Sequence, residues 1–301
     1  MSVLEGPRKE KRRVLVAGKA EWASILSDGI VTLSDGSEIA EADVTHLPPC
    51  IPSKIICPHL TYTSRGIESR NKPQPTANPT YFMKPTTALN HHFGEVKKPE
   101  NCMYLNYEGE FAAIIGKKTQ SVTPEEAWDC IAGFSPALDM GLHDFRDTDS
   151  GSMLRVKGND GFCPIGPGIV SGVDPRKQTI RTFRNGLLVQ EAIISEELIW
   201  GPDYMIADLS RHITLLPGDI ILTGTPCHSR SVEVGDEIEV EITGIGRLSV
   251  SISSSVAPSC NVGHQPSDSD EVRRVALGND SRVPENLRKN YNDANLKRPN
   301  R

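Results

Sequence analysis

The most regular alternation of apolar and polar positions lies in the middle of the chain. Residues from Met103 to Gly116 alternate and are bounded by turn residues, which predicts a β-strand. The dipeptide Asn185-Gly186 separates two strand-like segments, Ile180–Phe183 and Leu187–Gln190, as in a two-residue type I′ hairpin. Further strands are predicted beside Gly-Asp pairs, at Asp219–Leu222 and Glu237–Ile242.

Helical signals are few. Thr123 is followed by a proline and, at the third helical position, by a glutamate, which makes a capping box. The helix that begins there is expected to end at Gly133. A second helix is expected from about Asp203 to His212, before Pro217-Gly218. Strands that outnumber helices, without a regular βαβ alternation, predict a β-rich α+β fold.

Composition divides the 301 residues into three zones. Residues 1–50 hold a charged arm and short strand-like runs, which predict a small N-terminal β region. Residues 51–252 contain the candidate catalytic residues. Residues 253–301 are rich in Ser, Asn, Asp, Arg and Pro and lack Phe and Trp. This tail is therefore expected to be disordered or to wrap along the surface.

Charge, hydropathy and cysteine content argue against several classes of function and location. Lys and Arg number 33 and Asp and Glu 39, a net charge of −6, which argues against nucleic-acid binding. No apolar run approaches the roughly 18 residues of a membrane span, and the apolar stretch after the basic start is too short for a secretion signal. Seven cysteines are scattered without a C-x-x-C pair. We therefore expect a cytoplasmic protein with buried free thiols and neither nucleic acid nor membrane as a partner.

Two acidic residues are predicted to share one face of the first strand. Side chains alternate along a strand, so Glu108 and Glu110 point the same way, about 6–7 Å apart. Gly109 between them leaves room for another group to approach. With Asp139 as a third carboxylate, the set suits Mg²⁺ or Mn²⁺, with Ca²⁺ as the alternative, and Lys157 supplies a nearby positive charge. The other interpretation is an ordinary solvent-facing edge strand.

Several motifs, taken in order, resemble the fumarylacetoacetate hydrolase family over about residues 54–252. They are Tyr107-Glu-Gly-Glu-Phe-Ala-Ala-Ile-Ile-Gly-Lys117, Ile131-Ala-Gly-Phe134 with Asp139, Lys157 with Phe162-Cys-Pro-Ile-Gly-Pro167, Asn185-Gly186 with Gln190, Leu216-Pro-Gly-Asp-Ile-Ile-Leu-Thr-Gly-Thr-Pro226, Gly235-Asp236 and Gly244-Ile-Gly246. The stretch from Gly141 to Lys157 looks most like one subgroup, the isomerase/decarboxylases of homoprotocatechuate breakdown. These handle 2-hydroxyhepta-2,4-dienedioate-type substrates.

The resemblance implies a mixed β-roll core, usually dimeric, with a divalent metal held by Glu108, Glu110 and Asp139. In the family, the metal chelates the 2-oxo group and adjacent carboxylate of a 2-oxo or 2-enol acid and stabilises the enolate that develops. The same resemblance assigns Lys157 to neutralising that charge. It also makes four residues candidates for substrate binding: Lys84, Arg155, Gln190 and Thr225.

The chain departs from the family at the lid motif Asn-Tyr-x-x-His-x-x-Glu, whose histidine and glutamate activate water or shuttle a proton. Glu68 is present, but the histidine position is Arg65, which stays protonated and is a poor general base. Arg65 is expected either to pair with Glu68 or to clamp a second substrate carboxylate. Substitute bases are sought among the histidines near the motifs, which are His59, His91, His92 and His143.

Three functions therefore stay open. The first is a metal-dependent isomerase or decarboxylase of an unsaturated 2-oxo diacid in aromatic-compound breakdown. The second is an acylpyruvate-type C–C hydrolase that takes its base from elsewhere. The third is a catalytically weak family member kept as a binding or scaffold protein, which Arg65 and the long tail would suit. No Gly-x-Ser-x-Gly elbow is present, which argues against a serine hydrolase.

Overall fold

The computed structural model describes residues 3–27, 29–74, 76–149, 151–256 and 262–297. Cys260 and residues 298–301 of the tail lie outside the described residues. The first strands are Lys9–Val16 (β1), Lys19–Ser27 (β2), Ile30–Leu33 (β3), Glu38–Ala40 (β4), Thr45–Leu47 (β5), Ile55–Pro58 (β6), Tyr81–Lys84 (β7), Leu89–Asn90 (β8), Gly94–Pro99 (β9) and Leu105–Asn106 (β10). The later strands are Gly109–Ile115 (β11), Ile131–Leu138 (β12), Gly141–Leu142 (β13), Cys163–Pro164 (β14), Gly168–Ser171 (β15), Thr179–Arg184 (β16), Leu187–Ile193 (β17), Ile220–Leu222 (β18), Glu237–Ile242 (β19) and Gly246–Ser255 (β20). The α-helices are Thr63–Arg70 (α1), Pro124–Ala127 (α2), Arg146–Asp149 (α3), Leu154–Lys157 (α4), Ile194–Glu197 (α5), Pro202–Ser210 (α6), Asp270–Leu277 (α7) and Glu285–Ala294 (α8).

Two sheets build the core. The larger has eleven strands, in the order β4-β3-β2-β1-β15-β12-β11-β18-β6-β7, with β5 paired to β1. The smaller has five strands, in the order β17-β16-β19-β20-β9. Most pairs are antiparallel, but β18 runs parallel to β6 and β20 runs parallel to β9. The prediction of a β-rich α+β fold is confirmed.

The middle of the larger sheet is buried on both faces. Phe111 and Phe134 lie in the main core with Val240 of the smaller sheet, and the two rings are 6.2 Å apart. Ala112 and Leu222 belong to a second core on the opposite face. Every residue of β11 is buried, which explains why its second half reads as a continuous apolar run instead of an alternation.

The predicted hairpin and later strands are confirmed. β16 pairs with β17, and the turn residues Asn185 and Gly186 have φ of 52° and 76°, the left-handed values of a type I′ turn. β19 has the predicted bounds, and α6 covers most of the predicted second helix. The predicted strand from Met103 is instead interrupted, since β10 and β11 are separated at Tyr107 and Glu108.

The prediction that Gly133 ends a helix is wrong. The capping box of Thr123 is present, but the helix stops at Ala127 and a 3₁₀ turn ends at Cys130. Gly133 lies inside β12, where a Cβ would stand 2.6 Å from the Val170 carbonyl oxygen of β15. Glycine is therefore required there by the close approach of a neighbouring strand, which the local pattern does not reveal.

The two ends of the chain pack onto this core. β1 pairs with β15, so the N-terminal β region extends the larger sheet. The described part of the tail lies along the surface and contains two helices that the sequence did not predict. Val272 and Ala276 of α7 are buried against Tyr104, and the side chain of Ser269 caps this helix. None of the helices in the described ranges has the length and apolar composition of a membrane span.

Candidate active site

Pairing of two central strands brings the predicted acids together. β11 and β12 run antiparallel with Gly109 opposite Leu138, so Glu108 stands beside Asp139 and the Asp139 N–H donates to the Glu108 carbonyl at 2.9 Å. Carboxylate oxygens of Glu108, Glu110 and Asp139 lie within 4.8 Å of one another. The edge-strand interpretation is thereby excluded, because Glu110 and Asp139 are each 2% exposed.

Gly109 makes room on the side of the strand opposite to the acids. A Cβ at this position would lie 1.9 Å from Thr182 Oγ1 of the smaller sheet. Gln190 Oε1 accepts the Gly109 N–H at 3.1 Å. The close packing of the two sheets thus holds the segment that carries Glu108 and Glu110.

Two buried lysines contact the acids. Lys157, the last residue of α4, lies with Nζ 2.6 Å from Glu108 Oε2 and 2.8 Å from Asp139 Oδ2. Lys84, the last residue of β7, pairs with Asp139 Oδ1. Burial lowers the pKa of Lys157, but Asp139 and Glu108 raise it by more than burial lowers it. The pKa of Lys157 therefore lies above the usual value and the ammonium stays charged.

Glu110 is the acid whose negative charge is least compensated by neighbouring positive charge. Its Oε2 accepts the Gly224 N–H at 2.7 Å. Burial raises the pKa of Glu110 well above its usual value, and Asp139 and Glu108 raise it further. Burial also raises the pKa of Glu108, but Lys157 and Arg65 more than offset this effect. A hard divalent cation among these oxygens would relieve the repulsion at Glu110, so the residues present fit such an ion.

Arg65 is held in a chain of ion pairs. Its guanidinium contacts Glu68 at 2.7 Å and Glu108 at 3.4 Å. Glu68 is also paired with Arg230, at 2.7 Å. Of the two roles predicted for Arg65, the structure shows the ion pair with Glu68. The guanidinium already contacts two carboxylates of the protein itself.

The candidate histidines form two groups: two line the cavity above the acids and two lie elsewhere. His143 lines the cavity above the acids, is 2% exposed, and has no hydrogen-bond partner at either ring nitrogen among the described residues. Burial, then Lys157 and Arg146, hold the pKa of His143 well below its usual value, so the ring is neutral. His59 lines the same cavity. His91 and His92 lie elsewhere: His91 Nδ1 donates to the His92 carbonyl at 2.9 Å, and His92 Nδ1 accepts the Ser249 N–H at 3.0 Å.

The predicted substrate-binding residues do not all reach the cavity. Lys84 meets the acids, and Thr225 lines the cavity. Gln190 is fully buried behind Thr225, donating from Nε2 to the Thr225 hydroxyl and the Pro226 carbonyl at 3.0 Å each. Arg155 points away and pairs with Asp149 at 3.0 Å, with about half of its side chain exposed. Helix α4 thus directs Lys157 inward and Arg155 outward, and a contact of Arg155 with the substrate stays a prediction.

Sequence reasoning missed three cavity-lining arginines, which are Arg70, Arg146 and Arg274. Arg146 stands between His143 and Lys157 in the chain, in a segment already noted for its likeness to the isomerase/decarboxylase subgroup. Nothing in the local pattern distinguishes it from Arg155. Arg274 lies in α7, where composition alone gave no reason to expect a contact with the site.

Comparison with known proteins agrees with the resemblance found in the motifs. Residues 54–253 match the model of the fumarylacetoacetate hydrolase C-terminal domain. The chain is 41% identical over 178 residues to a 4-hydroxyphenylacetate degradation bifunctional isomerase/decarboxylase of Salmonella dublin, covering 58% of this chain and 41% of that protein. The chain thus matches less than half the length of this bifunctional relative.

Solved structures give the same result over more of the chain. A 2-hydroxyhepta-2,4-diene-1,7-dioate isomerase from Mycobacterium marinum is 32% identical, with a TM-score of 0.74 over 82% of this chain and 98% of that one. A 5-carboxymethyl-2-hydroxymuconate delta-isomerase from Mycobacterium smegmatis is 30% identical, with a TM-score of 0.75 over 82% and 100%. The sequence-based resemblance is confirmed.

Proposed function

This chain belongs to the fumarylacetoacetate hydrolase family, and we propose that it is a divalent-metal-dependent enzyme that isomerises or decarboxylates an unsaturated 2-oxo or 2-enol dicarboxylic acid in aromatic-compound breakdown. The observation that carries the proposal is the cluster of Glu108 with the buried Glu110 and Asp139, in which Lys157 contacts two of the three acids. The names of the related isomerases support the reaction class.

The acids and lysines have separate tasks. Glu108, Glu110 and Asp139 would hold Mg²⁺ or Mn²⁺, with Ca²⁺ as the alternative; bound there, the ion supplies Lewis-acid stabilisation of negative charge on a 2-oxo oxygen. Lys157 stays protonated and adds positive charge to the same region. Thr225 offers a hydroxyl at the cavity wall to orient a substrate carboxylate.

His143 is the group best placed to move a proton. It is neutral, lines the cavity, and has both ring nitrogens without a hydrogen-bond partner within the described residues. A neutral imidazole can accept a proton from one substrate carbon and return it to another, as isomerisation requires. Arg65 and Glu68 are bound to each other, so neither is free to activate water, and this argues for isomerisation or decarboxylation over C–C hydrolysis.

The proposal is tested by product analysis. The protein, loaded with Mn²⁺ or Mg²⁺, is incubated with acylpyruvates, oxaloacetate and hydroxymuconate-type diacids, and the products are followed by NMR before and after chelation. We expect isomerised or decarboxylated diacids, and loss of turnover with chelator. Cleavage of acylpyruvates would favour the hydrolase. No turnover of any compound would favour the scaffold role, and turnover at equal rates with and without chelator would contradict the metal dependence.

Two further properties belong to the proposal. We propose a homodimer, as the family resemblance implies, and sedimentation velocity tests it. We also propose a cytoplasmic location, since the six cysteines in the described ranges are buried and unpaired. Fluorescence imaging of the tagged full chain tests the location.

A further inference from the structure

The cavity above the acids adjoins a second cavity whose lining includes two arginines, Arg70 and Arg146, and two acids, Asp147 and Glu271. Residues that line the acid-containing cavity include Arg70 and Arg146, and the same two residues line an adjoining, more open cavity that none of the three acids reaches. His59 and Met153 are shared by both cavities in the same way. Arg146 therefore lies where the acid-lined end meets the outer space.

Arg146 has no carboxylate partner in the part of the chain that the structure describes. Its guanidinium has one hydrogen bond, from the terminal nitrogen to the Met153 sulfur at 2.7 Å, and a thioether is a weak acceptor. Burial lowers the pKa of Arg146, and the carboxylates of Glu271 and Glu108 offset this effect only in part. A guanidinium that has lost water without gaining a directly paired anion is costly, and a bound anion would reduce that cost.

The acids near Arg146 are engaged elsewhere. Glu271 is paired with Arg274 at 2.8 Å. Asp147 accepts from the hydroxyls of Ser267 and Ser269, each at 3.0 Å. Glu108, at the inner end, is held by Lys157 and Arg65. The positive charge at Arg146 is thus left for a ligand.

Arg65, the residue that the sequence nominated for clamping a second carboxylate, also lines the acid-containing cavity, but its charge is already used within the protein. It already contacts two carboxylates. Arg70, on the last turn of the same helix, lines the cavity and has no ion pair within the described ranges. The guanidinium of Arg146 can present two parallel N–H donors to one carboxylate, with Arg70 adding charge at the exposed rim.

We propose that Arg146, supported by Arg70, forms a carboxylate-binding subsite that takes the distal carboxylate of the substrate and makes the enzyme selective for 2-oxo dicarboxylates over 2-oxo monocarboxylates. The inference rests on the proposed function for the other end of the substrate, which the acid cluster receives. The two ends of the cavity then recognise the two ends of one molecule.

The test is binding by calorimetry to the full-length, Mn²⁺-loaded protein. The probes are unsubstituted 2-oxo dicarboxylates of increasing length, each with the 2-oxo monocarboxylate of equal chain length. We expect dicarboxylates of one length to bind more tightly than their partners. In Arg146→Gln this advantage falls about 10- to 100-fold, the value of a charge-assisted hydrogen bond, while monocarboxylate binding is unchanged. Arg146→Lys keeps part of the advantage.

Controls separate the outcomes. Arg181→Gln removes an arginine of the smaller sheet that is paired with Glu191 on the surface, and should behave as wild type. Unchanged monocarboxylate binding in Arg146→Gln shows that the variant is folded. Equal affinity of wild type for both acid classes, or an equal loss for both in Arg146→Gln, overturns the subsite and leaves the proposed function standing. If neither class binds, with or without Mn²⁺, the proposed function falls and the subsite with it.

Discussion

Glu68 and Arg230 form a buried ion pair, with Oε1 2.7 Å from the guanidinium nitrogen and side-chain exposures of 0% and 4%. Glu68 continues the chain of charges to Arg65 and Glu108, and Arg230 continues it to Asp280 at 2.8 Å. Charges of alternating sign therefore connect the C-terminal tail, which lies beyond the matched family domain, with an acid of the candidate metal site.

This relationship predicts a large cost for breaking the pair. In Arg230→Met, Glu68 keeps one cationic partner and loses the other while remaining buried. We expect the free energy of unfolding to fall by about 3–5 kcal/mol, as when one partner of a buried pair is removed. Asp280→Asn is the matched control: Asp280 is 65% exposed, so its loss should cost less than about 1 kcal/mol. Urea denaturation measures both, and equal costs would contradict the picture.

The raised pKa of Glu110 predicts a pH dependence of the metal-free protein. A carboxyl whose folded pKa lies above its unfolded value contributes stability that is present below the unfolded pKa, about 4.3, and is lost as pH rises through the folded pKa. Wild type should therefore lose stability on this rise, and Glu110→Gln should lose less. Glu100→Gln, an exposed site, should follow wild type. Unfolding curves across pH in the presence of chelator test this.

Metal affinity gives a separate prediction for the same residue. Glu110→Gln removes one anionic oxygen from the three-acid cluster, so Mn²⁺ binding measured by calorimetry should weaken about 10-fold or more. In wild type, Mn²⁺ affinity should rise with pH, because the bound ion requires an ionised Glu110. An unchanged Mn²⁺ affinity in Glu110→Gln would place the ion elsewhere.

Substitutions of His143 and of His91 are predicted to differ in their effect on the isomerisation rate. His143→Asn removes the unpartnered imidazole of the cavity and should lower the isomerisation rate by about 10²-fold or more, with Mn²⁺ affinity retained. His91→Asn should leave the rate unchanged, because His91 lies outside the cavity. Steady-state rates and Mn²⁺ titrations of both variants decide the matter. A loss of rate in His91→Asn alone would reverse the assignment.

Arg65→His should change the reaction instead of abolishing it. An imidazole one helical turn from Glu68 can accept a proton from water, which arginine does not do. We expect acylpyruvate cleavage to rise about 10²-fold above wild type. Arg65→Gln, which removes the charge without adding a base, should show no such rise. If the two variants cleave acylpyruvates at the same rate, the residue at position 65 does not determine whether the enzyme hydrolyses them.

Much of the fold followed from patterns a few residues long. The turn at Asn185-Gly186 and the bounds of β19 were predicted because turn dihedrals and strand alternation depend on neighbouring residues. Gly133 was misassigned because its conformation is imposed by Val170 of another strand. The helices of the tail were missed because their buried faces are small and their polar composition resembles that of a disordered segment.

By itself, the sequence determined the family, the strand-rich class and the set of three acids, since the acids lie in motifs whose spacing is local. Only the tertiary structure decided the electrostatics of the site: that Lys84 reaches Asp139, that Arg65 is neutralised by Glu68, and that Arg146 faces the cavity while Arg155 faces solvent. The physical reason is that the charge state of an ionisable side chain, and whether it already has an ion-pair partner, depend on the groups within a few ångströms. Those groups come from distant parts of the chain.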